Sequence, residues 1–170
     1  MMRRPLSSRL RADRRGAAAA EMALVTPLLL GLICGAFELG KYFLDEHVVS
    51  KAVRDGARYA ARQSFAAMPC GGTPTSDTQI KNLVRYGNTA GTGNPRLYYW
   101  ANNSTITVAV DCPTSGAAYE TGGVYNGLTG GAHRVTVSAT VPYSGLFAGV
   151  GVSTTGLNLI AQSQAAVMGI

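Results

Sequence analysis

Three hydrophobic rhythms follow one another along the chain. The first is continuous: Met22 to Phe37 carries no charged residue. As a helix that run rises ~24 Å, short of a ~30 Å hydrocarbon core; adding Ala17 to Glu21 brings it to ~31 Å. A transmembrane helix over residues 17–40 is therefore expected, with a carboxylate, Glu21, at or just inside the boundary. An ionisable residue there is a functional candidate that needs a partner. Pro27 removes one backbone donor and frees the carbonyl of Ala23, a break that membrane helices tolerate where neighbours satisfy the carbonyl. Gly31 and Gly35 make a small-xxx-small face that lets a second helix approach closely, although glycine is also simply frequent in membrane helices.

The second rhythm has helical period. Leu39, Tyr42, Phe43, Val49, Val53, Ala57, Ala60, Ala61 and Phe65 recur at three- and four-residue steps, so the helix is expected to continue, amphipathic, to about Ala67. Lys41 with Asp45 and Lys51 with Asp55 sit one turn apart on its polar side. The segment from Met68 to Gly72 ends it. Ser76 to Gln79 reads as a capping box opening a short helix through Tyr86, with Ile80, Leu83 and Val84 as its apolar stripe and Gly87 as its stop.

The third rhythm alternates. Leu97–Ala101 and Thr105–Val110 read as strands around an Asn102–Asn103 turn, and Val135, Val137, Ala139 and Val141 make another. Leu157–Met168 makes the last, with Ala161, Ser163, Ala165 and Ala166 small enough to lie against a helix. Residues 113–132 read as a long loop, and residues 143–156 as a second, with Leu146, Phe147 and Val150 as anchors. The predicted fold class is α+β: a long N-terminal helix, a short second helix, and an antiparallel sheet of three to four strands packed on the helix.

Charge sharpens this picture. The net charge is +6, but six of the fifteen basic residues precede Gly16, against one acid, Asp13. The remainder is nearly neutral and has no basic patch interleaved with aromatics, which argues against nucleic acid as a partner. An arginine cluster before an apolar span keeps the N-terminus cytoplasmic and sends the rest across. The expected division is a basic leader (1–16), a transmembrane helix (17–40) and an extracytoplasmic domain (41–170). A secretory signal peptide is the rival, but Cys34, Gly35 and Ala36 are poorly placed for its cleavage, and helix-like sequence continues past Phe37.

Catalytic chemistry is sparse. His47 reads as a helix-surface residue and His133 as the start of a strand, and neither shows metal-ligand spacing. No serine–histidine–acid grouping or paired-carboxylate motif stands out, so an enzyme is not expected. Gly35 to Tyr42 nearly matches a phosphate-binding loop, but Tyr42 stands where a Ser or Thr would hold magnesium, and no strand precedes it. Cys34 lies in the apolar run. Cys70 and Cys112 lie in the translocated part, where an oxidising compartment favours a bridge over two free thiols.

Arg14, Arg15, Gly16, Ala17–Ala20, Glu21, Met22, Ala23, Leu24, Val25, Thr26, Pro27, then Phe37, Glu38, Leu39, Gly40, then Ala52 to Ala61 together resemble the TadE-like proteins of bacterial tight-adherence (Tad/Flp) pilus systems. The resemblance is specific over about residues 14–62. It implies a small bitopic protein of the bacterial inner membrane, a minor pseudopilin cut by a prepilin peptidase between Gly16 and Ala17, with Glu21 as fifth residue of the mature chain. The partners it implies are the prepilin peptidase, other pilus subunits and the assembly platform; no cofactor is implied. Major pilins of this system usually carry Glu-Tyr where this chain has Glu21 and Met22, and they are much shorter, so an accessory subunit fits better than the main filament subunit. The alternative is an uncleaved, membrane-anchored binding domain with no filament role.

Overall fold

The structure, a computed structural model, describes residues 15–115, 123, 126, 130–148, 151 and 153–169. The basic leader up to Arg14, most of the expected loop at 113–132 and the expected anchor Val150 lie outside the described residues. Helix α1 spans Arg15–Ala61, α2 spans Asp77–Tyr86, and three strands follow: β1 (Ile106–Asp111), β2 (Arg134–Pro142) and β3 (Asn158–Ala166). Two compact units divide at Gly40 and Lys41.

The first unit contributes the opening stretch of α1. Its large apolar side chains, among them Met22, Leu24, Leu28, Leu30, Leu32 and Phe37, are all exposed. The helix is long and apolar enough to cross a membrane. Soluble monomers rarely expose a continuous apolar surface of this kind.

The second unit is an α+β layer. Its sheet has the order β1-β2-β3, antiparallel throughout, with Val110 opposite Val135, Val137 opposite Ser163 and Val141 opposite Leu159. Val135, Val137, Ala139 and Val141 alternate inward along β2 and are buried, as period-two patterning requires. They meet Val49, Ala52, Val53, Ala57 and Ala60 of α1 and Ile80 and Val84 of α2 in one core. The buried stripe of α1 is small-residue-rich, which brings the layers close. Gly56 marks the tightest point: a Cβ there would lie 2.5 Å from Val84 Cγ2 and 3.6 Å from Val137 Cγ1. The fold class and the two helices followed by three antiparallel strands agree with the sequence reading.

Several local expectations differ. Helix α1 ends at Ala61, and Phe65–Ala67 form a separate short 3-10 turn with Phe65 exposed. Leu39 and Phe43 also face outward. The capping box is absent: Ser76 occupies the N-cap position of α2 but its buried hydroxyl makes no cap hydrogen bond, while Gln79 accepts one from Tyr59 at 2.9 Å. Gly87 stops the helix as expected, left-handed at φ 81°, its N–H donating to the Leu83 carbonyl. Leu97–Ala101 is not a strand. Leu97 and Trp100, three residues apart, are both buried, and the Trp100 N–H donates to Leu97 O at 2.9 Å, a turn rather than a ladder. Asn103–Thr105 form a 3-10 turn instead of a hairpin tip. Asp55 pairs with Arg96 across 3.0 Å rather than with Lys51. On β3, Ala161 and Ala165 face the core, whereas Ala166 is exposed on the other side.

Candidate functional site

Three regions carry side chains with chemistry beyond packing. The first is the start of α1. Gly16, Ala17 and Glu21 are exposed and helical, so the expected cleavage bond lies in the first turn of the helix. Ala17 and Glu21 are four residues apart and share one face. Further along, Thr26 Oγ1 donates to Met22 O at 2.6 Å, just ahead of Pro27. Thr26 thus bonds back one turn, a habit of Ser and Thr in helices that bends them slightly. Added Cβ atoms at Gly31, Gly35 and Gly40 would meet nothing within 4 Å. The small-residue face is therefore open.

The second region is the opening turn of the second unit. Lys41 Nζ donates to Asp45 Oδ2 at 2.6 Å and to the Ser144 carbonyl at 2.9 Å. The same ammonium lies 5.0 Å from the Tyr99 ring centre and 4.7 Å from that of Tyr143, within reach of cation–π attraction. Tyr99 donates its hydroxyl to Asp45 at 2.7 Å. Burial first, then the hydrogen bond to Asp45, push the Tyr99 phenol well above its ordinary range. Tyr42 packs edge-on against Tyr143 at 5.2 Å. This knot ties the helix to two loops. The sequence pointed to the Lys41/Asp45 pair but not to its aromatic partners, because Tyr99 lies in a segment read as a strand and Tyr143 in one read as a loop, both far along the chain from Lys41. Tyr143, not Leu146, anchors its loop: Tyr143 is buried, Leu146 is exposed and Phe147 is half-buried.

The third region is the corner beyond the β1–β2 ladder. Cys70 and Cys112 are joined by a disulfide, their Cα atoms 5.5 Å apart. Gly71 N–H donates to Val110 O at 2.8 Å, so the backbone holds the same two segments together. His133 ends up here, its Nε2 3.3 Å from Cys70 Sγ and its ring 4.9 Å from that of Phe65. One rung along, Arg134 Nε donates to both carboxylate oxygens of Asp111 at 3.1 Å. That hydrogen-bonded guanidinium holds the Asp111 carboxyl below its usual range. The approach of His133 to the bridge was not legible in the sequence, since residues 70, 112 and 133 come from three separate segments. Cys34 is a free thiol on α1, and His47 is exposed on the same helix.

An exposed apolar helix running into a small disulfide-bridged α+β unit defines a class: a candidate single-helix membrane anchor carrying one folded domain. Within that class, residues 16–58 match the family model of the TadE-like protein. The match falls on α1 alone and agrees with the resemblance carried by the sequence motifs. It suggests involvement in the Tad pilus system. No curated protein and no solved structure matches the chain.

Proposed function

We propose that this chain is a pilin-like accessory subunit of a Tad/Flp pilus, anchored in the bacterial inner membrane by residues 17–40. In this reading residues 1–16 are a cytoplasmic leader, and residues 41–170 are displayed in the periplasm or outside the cell. A prepilin peptidase cuts between Gly16 and Ala17, and the mature subunit enters or primes a pilus with other subunits and the assembly platform. One observation carries it: the TadE-like match and the fully exposed apolar stretch occupy the same helix. Such a surface is satisfied by lipid before assembly and by neighbouring helices after it. Gly31 and Gly35 provide the close-approach face, and Pro27 the flexible point near it. The reading gives the protein no enzymatic role, since the TadE-like pilus family is not known for one.

Glu21 supplies the chemistry of assembly. Cleavage leaves Ala17 with an α-amino group, ordinarily cationic near neutral pH, about 6 Å along the axis from Glu21. The amine neutralises either its own glutamate or that of a neighbouring subunit, and the second arrangement fixes axial register. An unpaired charge at mid-span costs ~2.5–3.5 kcal/mol, and less near the interface. The test is Glu21→Gln as the only copy in the cell. The expected outcome is a protein that is cleaved and stable but does not support piliation. Wild-type piliation by the cleaved variant would reduce Glu21 to a residue lying among headgroups. A chain that is never cleaved and leaves piliation untouched when deleted would favour the plain anchored binding domain.

A further inference from the structure

The pilus reading makes no use of the imidazole beside the disulfide. Cys70 is exposed and Cys112 half-buried, so the bridge is within reach of a small thiol. The sulfurs and a His133 ring nitrogen all lie within 4.8 Å of one another, with Nε2 3.3 Å from Cys70 Sγ. His133 is fixed in place by its ring contact with Phe65 and by its carbonyl, which accepts from Val167 N–H at 2.8 Å. Exchange at a disulfide speeds up when a sulfur is accessible and when the departing thiolate is stabilised. A neighbouring imidazolium is one of the groups that stabilises a thiolate. Cys112, the sulfur attacked when Cys70 leaves, is half-buried rather than enclosed, and the imidazole sits at Cys70 Sγ.

We propose that Cys70–Cys112 is a thiol-exchange site in which His133 makes Cys70 the leaving sulfur. The co-reactant is a thiolate, from a small thiol or from a dithiol protein of the same compartment. It attacks Cys112 Sγ, and a new bond forms between the incoming sulfur and Cys112. The Cys70–Cys112 bond breaks, and its electron pair departs on Cys70 Sγ. His133, as the imidazolium, hydrogen-bonds that thiolate through Nε2–H and hands it the proton, which leaves the neutral imidazole. In the return step the imidazole takes that proton back, the Cys70 thiolate attacks Cys112 Sγ, and the incoming sulfur leaves as the thiolate that entered. The two cysteines stay juxtaposed while the bridge is open, because Gly71 N–H still donates to Val110 O and the Asp111–Arg134 rung persists. The bridge is thus a place where the folded domain accepts a mixed disulfide, and not only a staple.

The experiment uses the oxidised full chain in detergent, with glutathione at one fixed pH. His133→Leu is expected to slow reduction of the native bridge about tenfold, the scale of one hydrogen bond to a charged sulfur. The gap should vanish in denaturing urea, where His133 is no longer placed. After acid quench and alkylation, peptide mass spectrometry of the wild type should find glutathione on Cys112 and the alkyl label on Cys70. His133→Gln keeps a donor of similar reach but cannot deliver a proton as imidazole does. It should also be slower than the wild type, and it replaces the leucine variant if that one fails to fold. Native rates within twofold of wild type for the folded variant, a gap that persists in urea, or glutathione found on Cys70 would each overturn the proposal.

Discussion

Gly56 shows how a single residue sets the spacing of this domain. Elsewhere in a helix, glycine to alanine stabilises by about 1 kcal/mol, because alanine loses less backbone entropy. Here the added methyl would lie 2.5 Å from Val84 Cγ2, a fully buried branched side chain with little freedom to move. Overpacking of that kind costs typically ~1–3 kcal/mol and outweighs the helical gain. Gly56→Ala is therefore expected to destabilise the folded unit by about 1 kcal/mol. In the Val84→Ala background the same substitution should turn neutral or stabilising, because the clashing methyl is gone, and the two changes are coupled. Urea unfolding of the four proteins of that cycle, followed through the buried Trp100, checks this; additive effects would place the close contact elsewhere. The sequence displayed Gly56 only as part of a motif. Its packing role depends on α2 folding back to the same point, which no local pattern encodes.

At the scale of elements, what was legible followed periodicity. The α1 stripe, the Ile80 and Val84 face of α2, and the alternation of β1 and β2 were all readable, because side-chain direction repeats at 3.6 or 2 residues. Elements held by single long-range contacts were not. The segment around Trp100 looks like a strand by composition, but its conformation is set by polar lashing. Trp100 Nε1 donates to Thr105 Oγ1 at 2.8 Å, and Arg85 Nε donates to Trp100 O at 2.7 Å. The capping box failed for a related reason: Gln79 finds Tyr59 on another helix instead of its own N-terminus. The disulfide joins the stretch after α1 to the end of β1 across a sequence separation of 42. In the chain-entropy treatment a loop of that size stabilises by roughly 4 kcal/mol. Replacing both cysteines by serine should cost up to about that amount, a large part of the net stability of a small domain. Urea unfolding of the full chain in detergent measures it. A loss below about 1 kcal/mol would mean that the backbone bonds at this corner suffice without the bridge.

The whole molecule combines two units suited to two solvents. Among the described residues, one exposes a long apolar stretch of helix; the other buries an apolar α+β core. The processing of the N-terminus and the role of Glu21 are not written in the hydrophobic pattern. They rest on the motif from Arg14 to Pro27 and on the TadE-like match. The proposed pilus role therefore turns on whether the helix begins, in the cell, at Ala17. The most direct measurement is the intact mass and N-terminal sequence of the protein produced beside its own prepilin peptidase. The expected result is a mature chain that starts at Ala17 and lacks residues 1–16. A membrane-extracted protein that still carries those residues, with the peptidase active on other pilins in the same cells, would contradict it.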